Sequence, residues 1–438
     1  PWQANGTSYS TDGIRIESGS LLSYGTLNVS HTGYRNDEIG QGDNPIWTTT
    51  NSEGIRYERD RSNSNIYHSE DAYYKFKIKS FAIRVVGDTS STAATDVTIL
   101  KGTITNSVGG GLYVSGGSNT SVSLNGMISE DDVNGNGQLD DVVGGDSATV
   151  TIETSGQQAF SDYVHVSSGA TNWSTRMPET GGHAVQVEGG EVNIYNGSYT
   201  ADFGNGIMIT NGSINVHNGT FIGGDGTNNS ITASDGDRPC GAAASYCLKV
   251  CGGTANIYNG VFGSAVSKDQ NGNLKESNVS SSGAFIMGTS ADSRGEANIY
   301  NGTFNVAGQS AFAVYKYATV TFGEENEDSD IYVRGFAAGI TVEIAREPVY
   351  NSNGGLTYTY DYNNRTYNVN KGTIDTAIEL RIYDGEFRAY RSNGGDGIWF
   401  GDTYAETYIY GGDYYGETRY GLNIAGGTIQ CTEGTFYG

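Results

Sequence analysis

The sequence predicts an all-β chain wound as a single-stranded parallel β-helix, or β-solenoid, of about 21–22 residues per coil. Three observations predict it. An eight-residue phrase recurs: VNIYNGSY from Val192, INVHNGTF from Ile214, ANIYNGVF from Ala255, ANIYNGTF from Ala297, LRIYDGEF from Leu380, TYIYGGDY from Thr407 and IQCTEGTF from Ile429. Each phrase has an inside and an outside. Each also bends at its centre.

Strand side chains alternate faces with period 2. The first phrase position (Val192, Ile214, Ala255, Ala297, Leu380, Thr407, Ile429) and the third (Ile194, Val216, Ile257, Ile299, Ile382, Ile409, Cys431) therefore point inward. The second position is Asn193, Asn215, Asn256 or Asn298, and the fourth Tyr195, His217, Tyr258, Tyr300, Tyr383 or Tyr410; both point outward. The eighth is an inward aromatic such as Tyr199, Phe221, Phe262, Phe304, Phe387, Tyr414 or Phe436. Between them lies Asn-Gly at 196–197, 218–219, 259–260 and 301–302, a pair that tolerates the left-handed backbone of a tight bend. Hairpins are the rival, because Asn-Gly is also a hairpin signal. A hairpin sandwich does not need like residues in one column, whereas stacked coils do. The four bend asparagines are accordingly expected to form a ladder, each amide bonding the next. Spacings of 41 and 42 residues, from Ile214 to Ala255 and on to Ala297, read as two coils each. That reading sets Tyr258 and Tyr300 on either side of an intervening coil.

Taken in order, residues 1–94 are β-rich but lack the full phrase and read as an N-terminal cap or irregular coils. The parallel β-helix is expected over 95–438, with insertions near 129–146, 222–245, 267–283 and 348–370. Sixty-five glycines and five prolines suit many bends. The chain opens at Pro1 with neither methionine nor signal peptide, which predicts a removed leader or an excised segment. The coil pattern runs on to Phe436 without a visible cap, so the open end is expected to be continued by further chain, covered by a loop, or stacked on by another copy end to end, the last giving a filament.

Net charge is −24, which argues against nucleic acid as a partner, since binding it needs basic patches. No apolar run is long enough to insert into a membrane. Cys240, Cys247 and Cys251 cluster. Cys247 and Cys251 flank one strand and are too far apart to bond each other, so Cys240 is expected to pair with one of them. Cys431 reads as a small buried residue of an inward column about eight coils away.

The sharpest chemical signal is SEDDVNGNGQLDDVVGGD, residues 129–146. Asp132, Asn134, Asn136 and Asp140 take positions 1, 3, 5 and 9 of a calcium loop, with the Gln138 carbonyl at position 7. Val143 stands where a bidentate acid is wanted, so an acidic surface turn is the competing reading. The stretch resembles the calcium loops of dockerin-like and thrombospondin-type repeats. Asn228 and Asn278 are the loop sequons best placed for glycosylation in a secretory pathway. The outward Tyr258, Tyr300, Tyr383 and Tyr410 are candidates for stacking on sugar rings, against the plainer reading of mutual stacking.

The GG-x-h-x-I-Y-N-G-x-F pattern of 182–322 and 378–438 resembles the secreted right-handed parallel β-helix repeats of the pectin-lyase-like kind. It is most similar to the glycine-rich coils of bacterial surface and adhesin-like proteins. The resemblance implies an extracellular location and brings polysaccharide lyases and hydrolases into view as an alternative. Their carboxylate, Gly-His-Gly and arginine motifs do not occur as a set. Asp384, Asp396, Asp402 and Asp413 are the best acidic cluster for an active site. The leading expectation is an extracellular structural or adhesive solenoid without catalytic activity, its partners a polysaccharide, a cell surface or another copy.

Overall fold

The computed structural model describes residues 12–31, 35–36, 77–78, 81–90, 92–106, 110–126, 149–154, 183–201, 204–223, 246–263, 267–268, 274–275, 282–306, 310–342, 346–348, 358–361, 366–369, 371–373, 378–391, 394–401 and 405–438. Every phrase segment pairs in parallel with its counterpart in the next coil. Among the described residues the antiparallel pairs are short and lie outside the three parallel faces, as with Tyr358–Asp361 and Thr366–Val369 or Arg35–Asn36 and Lys77–Ile78. The fold is a parallel β-helix, as the phrase predicts.

Each coil presents three paired strand segments, so the stack has three faces. Down the second face Leu21, Val97, Val122, Val192, Ile214, Ala255, Ala297, Val320, Leu380, Thr407 and Ile429 lie in register, which counts eleven coils among the described residues. On the third face the column is Val29, Ile104, Ile152, Tyr199, Phe221, Phe262, Phe304, Val333, Phe387, Tyr414 and Phe436. On the first face it is Ile14, Ile83, Leu112, Val185, Ile207, Leu248, Ala284, Phe312, Ile340, Ile398 and Leu422. These columns converge on one apolar core in which nearly every member is fully buried. The strands Leu21–His31, Thr95–Asn106, Val185–Ile194 and Ile207–Val216 run through a corner and serve two faces, which joins all faces into one hydrogen-bonded network.

The coil count corrects the spacing argument. Ile214, Ala255 and Ala297 are in consecutive coils, so the 41- and 42-residue spacings are single coils with insertions. The described coils also begin at Ile14. Residues 14–31 form coil 1 and 81–106 coil 2, followed by 110–154, 185–201, 207–223, 246–263, 282–305, 310–335, 338–389, 396–415 and 422–437.

Two corners explain much of the glycine content. At the bend between the second and third faces, Gly197, Gly219, Gly260 and Gly302 have φ of 127°, 135°, 144° and 129°, a backbone that side chains resist. The corner between the third and first faces has a different demand, absent from the phrase. Ala82, Gly111, Ala184, Gly206, Cys247, Gly283, Ala311, Gly339, Gly397 and Gly421 each precede the first-face column residue. A Cβ at Gly206 would come 2.7 Å from the Cys247 carbonyl oxygen, and one at Gly397 2.5 Å from that of Gly421. Only small residues let successive coils close there.

Candidate binding surface

The outward fourth position builds an aromatic column along the corner of the second and third faces. Tyr195, His217, Tyr258 and Tyr300 stack with ring centroids 4.6, 5.0 and 4.9 Å apart and planes within 11° of parallel. Tyr258 and Tyr300 are thus direct neighbours, with no coil between them. Coil 8 interrupts the column with Gly323, after which Tyr383 and Tyr410 stack at 4.7 Å. Within each run the rings cover one another's faces. Solvent meets ring edges and hydroxyls, as at Tyr258, 41% exposed, and Tyr410, 39% exposed. A sugar ring seeking a flat platform does not find one inside the runs. Burial lowers the pKa of His217. Burial first, then Tyr258 and Glu324, raises that of Tyr300.

Beside this column runs the amide ladder, three residues before the bend asparagines where it was expected. Asn215 Nδ2 donates to Asn193 Oδ1 at 2.9 Å, Asn256 to Asn215 at 2.9 Å, and Asn298 to Asn256 at 3.0 Å. The bend asparagines do not bond one another. Asn196 Oδ1 accepts from the Gly197 N–H at 2.9 Å, and Asn259 Oδ1 from Gly260 at 2.8 Å. Asn301 Oδ1 accepts from the Asp330 N–H at 2.7 Å. The bend exposes backbone N–H groups within reach, of the same coil at Asn196 and Asn259 and of the next coil at Asn301, and a bond to one of them wins over the neighbouring amide.

The acidic cluster disperses. Asp384 sits at a bend, its Oδ1 accepting from the Gly385 N–H at 2.7 Å and its Oδ2 from Ser329 at 2.9 Å. Asp413 lies on the third face, in register with Glu386 and Thr435. Asp396 is on the first face, 4% exposed. Asp402 lies outside the described residues. Asp384 and Asp413 both lie close enough to Tyr414 to add to burial, the main cause, in raising its pKa, whereas Asp396 stands on another face.

The third face carries a feature the phrase gave no sign of. The Arg388 guanidinium lies 3.8 Å over the Tyr415 ring, which stacks on Tyr437 at 4.4 Å. Arg334 lies 4.0 Å over Tyr390, which meets Phe336 edge-on at 5.4 Å. Arg388, Tyr415 and Tyr437 are the residues directly after the phrase, in register with one another but outside the repeated pattern. The first face carries a clamped carboxylate: Glu188 accepts from Tyr113 Oη and Gln186 Nε2, each at 2.7 Å. Burial first, then this bond to Glu188, pushes the Tyr113 phenol up to about 12.

The calcium-loop residues Asp132, Asn134, Asn136, Gln138 and Asp140 lie outside the described residues, as do the sequons Asn228 and Asn278. Of the cysteines, Cys251 is disulfide-bonded while Cys247 and Cys431 are not, and Cys240 lies outside the described residues. Cys431 departs from expectation twice. It is five coils beyond Ile257, because the insertions shorten the coil count, and it is exposed, because no described coil lies over coil 11. Among the described residues no helix is long and apolar enough to cross a membrane. No family model, no curated protein and no solved structure matches the chain.

Proposed function

We propose that the chain is an extracellular structural or adhesive β-solenoid without catalytic activity. One observation carries this reading: the outward columns are spent on holding the stack together, like residue on like residue, just as the inward ones are. The asparagine ladder and the aromatic runs consume groups that a catalytic groove would leave free. Asp384 is tied to backbone, and Glu188 to side chains. A disulfide at Cys251 supports an oxidising, extracellular setting.

End-to-end association belongs to the same proposal. Coil 11 presents Ile424, Phe436 and Tyr437, 54%, 38% and 46% exposed, beside strands that pair on one edge only among the described residues. A further coil would cover them, whether from a continuation of this chain or from another copy. The loop from Asp132 to Asp140 supplies a calcium site in this reading, checked by calorimetry with and without chelator.

The test of the whole is incubation with a panel of acidic and neutral polysaccharides, following both sedimentation of the protein with the polymer and release of new chain ends. Binding without new ends is expected. New ends would replace the scaffold by a polysaccharide-active enzyme.

A further inference from the structure

Asp396 is the described carboxylate whose surroundings least resemble a structural role. It opens the first-face strand of coil 10 and is 4% exposed. Its two oxygens are treated unequally. Oδ2 accepts from Asn423 Nδ2 at 3.1 Å and faces Arg419 Nη1 at 3.7 Å. Oδ1 is buried and has no hydrogen-bond partner. A buried carboxylate oxygen without a donor is costly, so a fold that keeps one is holding an acceptor ready.

What surrounds the carboxylate, through Oδ2, defines its complement. Asn423 is the register partner of Trp399, so amide and indole sit side by side on adjacent coils. The indole lies against Gly401, where a Cβ would come 2.7 Å from the ring. Trp399 is half-buried, and among the described residues no ring stacks on it, unlike those of the Tyr258 run. Tyr420, 55% exposed, lies at the same corner, next to Arg419 in sequence. The Arg419 side chain is 52% exposed and its contact with Asp396 is too long for a hydrogen bond. It can therefore move aside without breaking one.

We propose that Asp396, Asn423, Arg419 and Trp399 form a subsite for a neutral saccharide. Asp396 Oδ1 accepts a sugar hydroxyl, Asn423 and Arg419 donate to its neighbour, and the apolar side of the sugar lies on Trp399. Vicinal hydroxyls match an acceptor and donors set side by side, which a single charged group does not need. An acidic sugar would meet the Asp396 charge. A metal ion would find one carboxylate, and no group of metal-binding side chains exists among the described residues. The inference deepens the adhesive reading and rests on it.

The experiment is a neutral glycan array followed by calorimetry on the full chain, using wild type, Asp396→Ala, Trp399→Ala and the distant control Tyr258→Ala, each with its melting temperature. Wild type and Tyr258→Ala should bind the same saccharide. Asp396→Ala and Trp399→Ala should lose about tenfold or more while still melting cooperatively. Asp396→Asn, which keeps the shape and an acceptor, should lie between and answers for any variant that fails to fold. Binding unchanged by Asp396→Ala or Trp399→Ala would overturn the subsite while leaving an adhesive solenoid. Absence of any neutral-sugar binding would overturn it too, and so would binding that requires calcium and vanishes with chelator. Cleavage of the bound glycan would instead sink the non-catalytic reading, with the subsite intact.

Discussion

In coils 4 to 7 the third-face column reads Tyr199, Phe221, Phe262, Phe304, with rings stacked nearly parallel at 5.0, 4.8 and 4.4 Å. In coil 8 it reads Val333. The missing volume is returned from the other two faces. Phe312 of the first face meets Phe304 edge-on at 5.3 Å, and Phe322 of the second face meets Phe312 at 4.9 Å and Phe387 at 5.3 Å. The parallel stack then resumes, Phe387 on Tyr414 at 5.2 Å. The same coil abandons the outward columns, with Gly323 in place of a tyrosine and Thr321 in place of an asparagine. Four coils are held by identity and one by volume. What the interior requires is filled space, and identity is the simplest way to repeat it.

The comparison breaks most severely at Ile257, which is fully buried in the regular region. Ile257→Asp should cost upward of about 4 kcal/mol, since the carboxylate is buried without a partner. Chemical denaturation should find the variant largely unfolded or locally opened. Next comes the volume exchange itself. Val333→Phe alone should overpack coil 8 and cost about 1–3 kcal/mol. Adding Phe322→Val should recover much of that, giving a favourable coupling in a double-mutant cycle. Additive losses would mean that the two positions do not share one space.

The amide ladder is a smaller target. Asn256→Ala removes a donor to Asn215 and an acceptor for Asn298, and should cost about 1–2 kcal/mol by denaturation. Asn259→Ala at the bend should cost less, as it removes a single local bond. The smallest effect is a pH dependence. His217 has a folded pKa depressed by burial below its ordinary 6.5. Its contribution is therefore complete above that pH and is lost as pH falls through the folded value. His217→Tyr, which completes the tyrosine run, should remove this component of acid destabilisation. A melting-temperature profile from pH 7 to 4 that is identical in both proteins would refute it.

The solenoid and its inward columns were legible because stacking forces like residues into one register, and the phrase prints that register directly. Ile194, Val216, Ile257 and Ile299 stack as read. The coil count was not legible, because an insertion of about one coil's length has the same spacing as a coil. The asparagine ladder was placed on the wrong residues for a physical reason: both sets recur with the same period, and only the local backbone donors decide which amide is free to reach across. The small-residue corner and the Arg388–Tyr415 contact lie outside the phrase. Asp396 was legible as an acid, but its orphan oxygen depends on Asn423 one coil further on.

The three-sided register also fixes how the molecule carries load. The hydrogen bonds between coils run along the stacking axis, so tension applied along it reaches every coil boundary in series rather than in parallel. The chain would then yield by peeling one turn at a time, each release lengthening it by the contour of that turn. For the 22-residue step from Val192 to Ile214 this is ~75 Å at ~3.4 Å per residue. The 41- and 42-residue steps that follow would release nearly twice as much. The longer steps thus become reserves of extension, and a force trace would read their positions in order.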